Sequence, residues 1–269
     1  MENSVLEKPL AETERKALSP HRWADLYDLL KPSCFTPEQL IDKREQFART
    51  GYVRLEGFLQ DRAHEVFKEE MEEMEQVALR RQFQMPGFST PRSLSVLGGN
   101  QIRSHSPLLY SLYHHYAIRT LIQEIVGRSV YTCTHPGEFM VANYLHNSGD
   151  THGWHLDDPA FALIIFAEAP AEGGGGEVEF ISNWKDLCAR KGRKPTESIH
   201  DLVDWADANG LVDRQAHSAG DAYLLRADHN LHRVTPLTRQ GERRAVVNMA
   251  YQSAPETIYG ETADLLYGY

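Results

Sequence analysis

The sequence predicts a mainly β fold of the α+β class, a strand-rich core buttressed by helices that precede it. Three observations carry this expectation. Helical patterning fills the chain up to about residue 127, and from Val130 the punctuation changes to alternating strands and turns. Phe161 to Ala167 is almost wholly apolar, as a strand covered on both faces requires. Two histidine motifs, Gly153-Trp154-His155-Leu156-Asp157-Asp158 and Leu231-His232-Arg233-Val234, set His232 75 positions beyond Asp157, room for the strands that close a double-sheet barrel.

Residues 1–19 are polar and are expected to be loosely ordered. The remainder, 20–269, reads as one domain without repeats or a linker, with the buttress mainly in 20–127 and the core mainly in 128–251. His21 to Leu30 and Thr36 to Thr50 read as short helices. The second has Thr36 as its cap, Pro37 at its first position, Glu38 in its first turn and Gly51 as its stop. Tyr52 to Phe58 alternates as a strand. Gln60 to Gln84 reads as one long helix whose run of Glu69, Glu70, Glu72, Glu73 and Glu75 marks a solvated face, and Leu108 to Val126 as a second long helix.

Val130 to Thr134 and Glu138 to Leu145 follow as strands, with a turn at Asn147 to Asp150. The glycines of Gly173 to Gly176 precede no helix carrying a Lys-Ser/Thr pair, so they predict a hairpin turn or rim and exclude a phosphate loop. Residues 182–214 form a polar insertion with a helix near Ile199 to Ala208, placed where it could act as a lid. Ala219 to Leu225 leads as a strand towards His232. The aromatic stretch Tyr251 to Tyr269 suits closure over a pocket and a subunit contact, such as that of a homodimer, equally well.

Lys+Arg of 28 against Asp+Glu of 38 gives a net charge of −10, and no basic run occurs, which argues against nucleic acid and anionic membranes as partners. Cys34, Cys133 and Cys188 have neither metal-binding spacing nor the even count of a disulfide framework. The first residues lack the apolar core of a signal peptide, and no run of eighteen apolar residues occurs, so the expected setting is the cytoplasm.

The chemistry concentrates in the histidine motifs. In an extended segment, His155 and Asp157 at i, i+2 share a face, and His232 from a distant strand would complete two imidazoles and one carboxylate around one metal. Such a triad leaves half of an octahedron open for a bidentate keto acid and for oxygen. His152 and His229 are rival ligands, each three residues from a favoured one. His229 follows Ala227-Asp228 in a polar turn, which favours a supporting role. Eleven positions beyond His232, Arg243 opens an apolar, β-prone run and could pair its guanidinium with the distal carboxylate of 2-oxoglutarate. Arg244 is its rival, and strand alternation lets only one of the two face the site. The set therefore predicts iron(II), with 2-oxoglutarate and oxygen as co-substrates. A zinc hydrolase using the same three ligands, which has no need of the arginine, and a non-catalytic binding barrel are the readings from other classes.

These motifs resemble the 2-oxoglutarate-dependent dioxygenases with a double-stranded β-helix, or jelly-roll, core. The nearest resemblance is to the radical halogenases and hydroxylases of free amino acids, the lysine-acting group especially. It runs from about Gly51 to about Tyr251 and includes His152-Gly153-Trp154-His155, Asp157-Asp158, Ala162-Leu163-Ile164 and Gly174 to Phe180. Halogenating members have glycine in place of the carboxylate ligand. Asp157 stands at that position, so the resemblance implies hydroxylation. It also implies that Glu138 and Asp158 hold a side-chain ammonium, while Arg92, His152 and Asn248 surround the carboxylate end of a small amino acid such as L-lysine. Ala250 stands where the lysine halogenases carry a hydroxyl group, so the contacts to that carboxylate differ. Within the enzyme class the competing substrate is a carrier-bound or different residue.

Overall fold

The computed structural model describes residues 35–196, 199–260 and 262–267. The segment 1–19, the expected helix His21 to Leu30 and Cys34 lie outside the described residues. Helix α1 (Pro37–Thr50) is bounded as its sequence dictates. The Gln39 amide donates to Thr36 Oγ1, and the Thr36 amide donates back to Gln39 Oε1. Gly51 takes φ +67°, a left-handed conformation that lets its amide reach the Phe47 carbonyl. β1 (Tyr52–Leu55) follows.

The long helix expected over Gln60 to Gln84 does not form. Helix α2 spans Asp61–Glu75, and the chain then becomes β2 (Leu79–Met85), paired along its whole length with β3 (Thr90–Gly98). Leu79, Phe83 and Met85 are more buried than Arg80, Gln82 and Gln84, a period of two that the preceding helical acidic run masks in sequence. Hairpin pairing with β3 outweighs local helical propensity. The single helix expected over Leu108 to Val126 is likewise two helices, α4 (Pro107–Tyr113) and α5 (Tyr116–Val126), after a short α3 (Gly99–His105). The break falls where His115 Nδ1 accepts the Ala117 amide and caps α5.

The remaining elements are β4 (Tyr131–Thr132), β5 (Met140–Leu145), β6 (Thr151–His155), β7 (Phe161–Glu168), β8 (Val178–Ile181), α6 (Trp184–Arg190), α7 (Ile199–Ala208), β9 (Val212–Gln215), β10 (Ala222–Leu225), β11 (Leu231–Val234), β12 (Arg244–Gln252) and α8 (Thr262–Tyr267). The strands run in the order β1-β10-β7-β12-β5-β3-β6-β11-β8-β9, with β2 on β3 and β4 on β12, and all pairings are antiparallel. β3 is the seam. Its residues Ser95 to Gly98 pair with β5 and its Arg92 and Ser93 with β6, so the sheet curls into the two facing layers of a jelly roll.

The largest apolar cluster packs the helices against one layer, through Phe47, Phe67, Met71, Ile118, Phe161, Leu163, Val247 and Met249. The insertion lies against the other layer, where Trp184, Leu187, Ile199, Leu202 and Ala206 pack with Trp154, Ile181 and Leu231. Cys133 and Cys188 are buried and free. Among the described residues no helix is long and apolar enough to cross a membrane.

Candidate metal centre

The inner face of the barrel holds a cavity whose wall includes Glu138, Asn143, His152, His155, Asp157, Asp158, Tyr223, His232, Arg244, Asn248, Ala250 and Tyr267. On its floor, β11 pairs with β6 so that His232 lies opposite His155 and Val234 opposite His152. Three residues of β11 thus span four of β6, a bulge that breaks strict alternation and turns both His152 and His155 inward. Gly153 sits in this bulge because a Cβ there would fall 2.8 Å from the Pro91 carbonyl oxygen and 2.9 Å from Thr90 Cβ.

Asp157 lies just past β6, anchored by its amide to the Ala227 carbonyl. Its Oδ1 is 3.5 Å from His155 Nε2 and 3.7 Å from His232 Nε2, and the three donor atoms all lie within 4.8 Å of one another. Each imidazole presents Nδ1 to a backbone carbonyl, His155 to Gly153 at 2.7 Å and His232 to Asn230 at 2.9 Å. A carbonyl only accepts, so Nδ1 carries the proton and each Nε2 lone pair is left to bind a cation. Burial, then the neighbouring His152, His232 and Arg92, holds His155 well below the usual imidazole range, and burial raises the Asp157 carboxyl. A metal ion would offset both penalties. Neither rival ligand joins the group. His152 stacks on His155 with ring centroids 4.0 Å apart, and His229 pairs with Asp228 at 3.7 Å.

The two arginines fall opposite to expectation. Arg243 lies outside the cavity, where it pairs with Glu75 at 2.5 Å and Glu168 at 3.0 Å. Arg244 is 3% exposed and lines the cavity. Its guanidinium faces Tyr223 and lies 5.0 Å from the Phe166 ring centroid, and its buried Nε has no hydrogen-bond partner among the described residues. Among the described residues no carboxylate pairs with it, and burial lowers its pKa. The cause is parity: Arg244, Val246, Asn248 and Ala250 line the cavity, while Ala245, Val247, Met249 and Tyr251 face the helices.

Of the residues expected to hold substrate, Glu138, His152, Asp158 and Asn248 line the cavity. Arg92 does not. It is buried in β3 beside His152, and its Nη1 donates to Thr90 Oγ1, Pro91 O and Gly153 O. Burial lowers its pKa to about 10. No described residue of 182–214 lines the cavity, so the expected lid lies elsewhere. Leu266 and Tyr267 of α8 form that wall, and the Gly260 amide ties the same segment to Asp158 Oδ2 at 2.7 Å.

A family model described as Halogenase D matches residues 35–267. The chain belongs to this family. No curated protein matches it. Among solved structures, the chain is similar to the non-heme alpha ketoglutarate dependent carbocyclase SnoK of nogalamycin biosynthesis, with a TM-score of 0.63, 14% identity and coverage of 84% of this chain and 86% of that one. The epimerase SnoN in complex with Fe3+, alpha ketoglutarate and nogalamycin RO gives a TM-score of 0.60 at 15% identity, over 81% and 85%. HygX from Streptomyces hygroscopicus, with nickel and 2-oxoglutarate bound, gives 0.57 at 16%, over 86% and 94%. The fold of this Halogenase D member is thus the jelly roll shared by these oxygenases.

Tyr223, Asn143 and Tyr267 are cavity residues that the sequence analysis did not single out. Only Arg244 had a readable signal, because a strand that turns Asn248 inward turns residue 244 inward as well.

Proposed function

We propose that this Halogenase D member is an iron(II)- and 2-oxoglutarate-dependent hydroxylase of a free cationic amino acid, L-lysine or a close relative. His155, Asp157 and His232 would hold the iron, and Arg244 rather than Arg243 would receive the distal carboxylate of 2-oxoglutarate. The observation that carries this reading is the pairing of a three-ligand metal group with a buried guanidinium that has no carboxylate of its own in the same cavity. A buried cation left uncompensated is costly, and a carboxylate-bearing co-substrate supplies the missing charge. A zinc hydrolase would have no use for it.

Iron with 2-oxoglutarate and oxygen supplies the oxidising power, releasing succinate and carbon dioxide while one oxygen atom enters the substrate. The chain's own residues bind and orient. Glu138 and Asp158 present two carboxylates to the cavity and suit an ammonium group, and Asn248 Oδ1 and His152 Nε2 are buried there without protein partners. Arg92, behind His152, would contribute to the carboxylate end through its charge. Asp157 occupies the position that halogenating members leave to glycine, so the product expected is an alcohol. A cytoplasmic setting suits a site that must keep its iron reduced.

The test is turnover by the iron(II)-loaded protein across the free amino acids, with succinate and product mass recorded. Lysine-stimulated succinate with a gain of one oxygen, lost in Asp158→Ala, is the expected result. Incorporation of chlorine, or no amino acid raising succinate above its basal rate, would overturn the reading.

A further inference from the structure

The strands that carry the metal ligands present a second cavity on their other face. On β11, His232 and Val234 point into the metal-site cavity, whereas Arg233 between them points outward. The outer cavity, of about 270 Å³, lies between this face and α7, near the lower end of the range for small-molecule sites. Its wall includes Trp154, Glu179, Asp204, Asp207, Arg214 and Arg233.

The chemistry of this wall is uneven. Glu179 is 1% exposed, and both of its oxygens are occupied, Oε1 by Arg214 and Oε2 by Arg233 Nε at 2.5 Å. One carboxylate thus serves two guanidiniums, leaving a net positive charge. Arg233 uses only Nε on Glu179, so its two Nη nitrogens have no protein acceptor among the described residues, and the guanidinium is held 4.8 Å from the Trp154 ring centroid. Arg214 likewise keeps Nη1 free. Across the cavity, Asp204 and Asp207 stand three residues apart on one face of α7, exposed and, among the described residues, without a side-chain hydrogen bond or salt bridge, while the Asp207 charge still acts on Arg214.

We infer that the outer cavity is a second ligand site, for a free dibasic amino acid. Its carboxylate sits between Arg214 and Arg233, and its two ammonium groups lie against Asp204 and Asp207. The two guanidiniums select a carboxylate. The two aspartates reject polyanions such as nucleotides and favour a ligand with two positive groups. This assignment does not depend on what the metal site oxidises.

L-lysine is the probe, titrated by calorimetry into the iron(II)- and 2-oxoglutarate-loaded protein without oxygen, so that nothing turns over. In a Glu138→Ala/Asp158→Ala background, which removes the cation-holding carboxylates of the inner cavity, one lysine is expected still to bind. Asp204→Asn/Asp207→Asn is expected to weaken that binding about tenfold or more. These two side chains are exposed, so the variant keeps the fold, whereas removal of either arginine would strip a partner from buried Glu179. Absence of lysine binding in the inner-cavity variant, or unchanged affinity when both aspartates are replaced, would overturn the assignment. Failure of the hydroxylase reading alone would appear differently, as lysine binding to the wild type that the inner-cavity substitutions do not alter.

Discussion

The two faces of the barrel wall treat charge in opposite ways. On the outer side buried or half-buried ions are paired: Asp150 with Arg80, Asp221 with Arg54, Glu179 with Arg214 and Arg233, Arg243 with Glu75 and Glu168. On the inner side Arg244 Nε, His152 Nε2 and Asn248 Oδ1 are buried without partners, all lining one cavity. Folded chains rarely leave such groups unsatisfied. The inner face leaves buried polar groups for a ligand to satisfy, whereas the outer face, its own cavity included, pairs its buried carboxylates within the protein.

The largest effect that would break this contrast is at the metal group. Asp157→Ala or His232→Ala is expected to lower iron(II) affinity by at least about 100-fold, measured by metal content after dialysis, since even supporting residues of a metal site cost about 10- to 100-fold. Wild-type iron content in either variant would remove the site.

A second effect sharpens the contrast through pH. His217 stacks on Phe166 beneath Arg244, and burial, then Arg244 and Arg54, lowers its pKa to about 3. The unfolded chain takes up a proton near pH 6.5 while the folded chain does not, so stability is complete above pH 6.5 and falls as pH drops towards 3. The slope contributed is up to about 1.4 kcal/mol per pH unit. Denaturant unfolding between pH 7.5 and 5 should show it, and His217→Phe should flatten it while lowering absolute stability, because Tyr52 loses its 2.9 Å partner. An unchanged slope in that variant would place the titration elsewhere.

A smaller effect tests how the inner face is made. Gly153→Ala forces a methyl group against Pro91 and Thr90 in the bulge, at an expected cost of about 1–3 kcal/mol. Because the bulge aims His155, metal affinity should fall with stability. Unaltered stability would show that the bulge relaxes freely.

Much of this was legible in the sequence because it rests on local spacing. The cap at Thr36, the covered strand at Phe161, the His155-Leu156-Asp157 spacing and the separate motif around His232 are each short-range patterns. What was not legible depends on how strands pair and which face each element buries. The acidic helical run hid β2, whose partner β3 lies beyond a turn. The insertion 182–214 looked placed to cover the site, but Trp184, Leu187 and Leu202 bury themselves on the outer face beside Trp154. Arg243 was favoured over Arg244 although the inward reading of Asn248 already fixed the parity of the strand.

That adjacent pair gives the most direct measurement: calorimetric binding of 2-oxoglutarate to the iron(II)-loaded protein without oxygen, in Arg244→Ala and Arg243→Ala. The loss expected for Arg244→Ala is about 2–5 kcal/mol, and for Arg243→Ala no more than about 1 kcal/mol, as for an exposed ion pair. Equal losses in the two variants, or a larger one in Arg243→Ala, would contradict the inner cavity as the seat of the co-substrate.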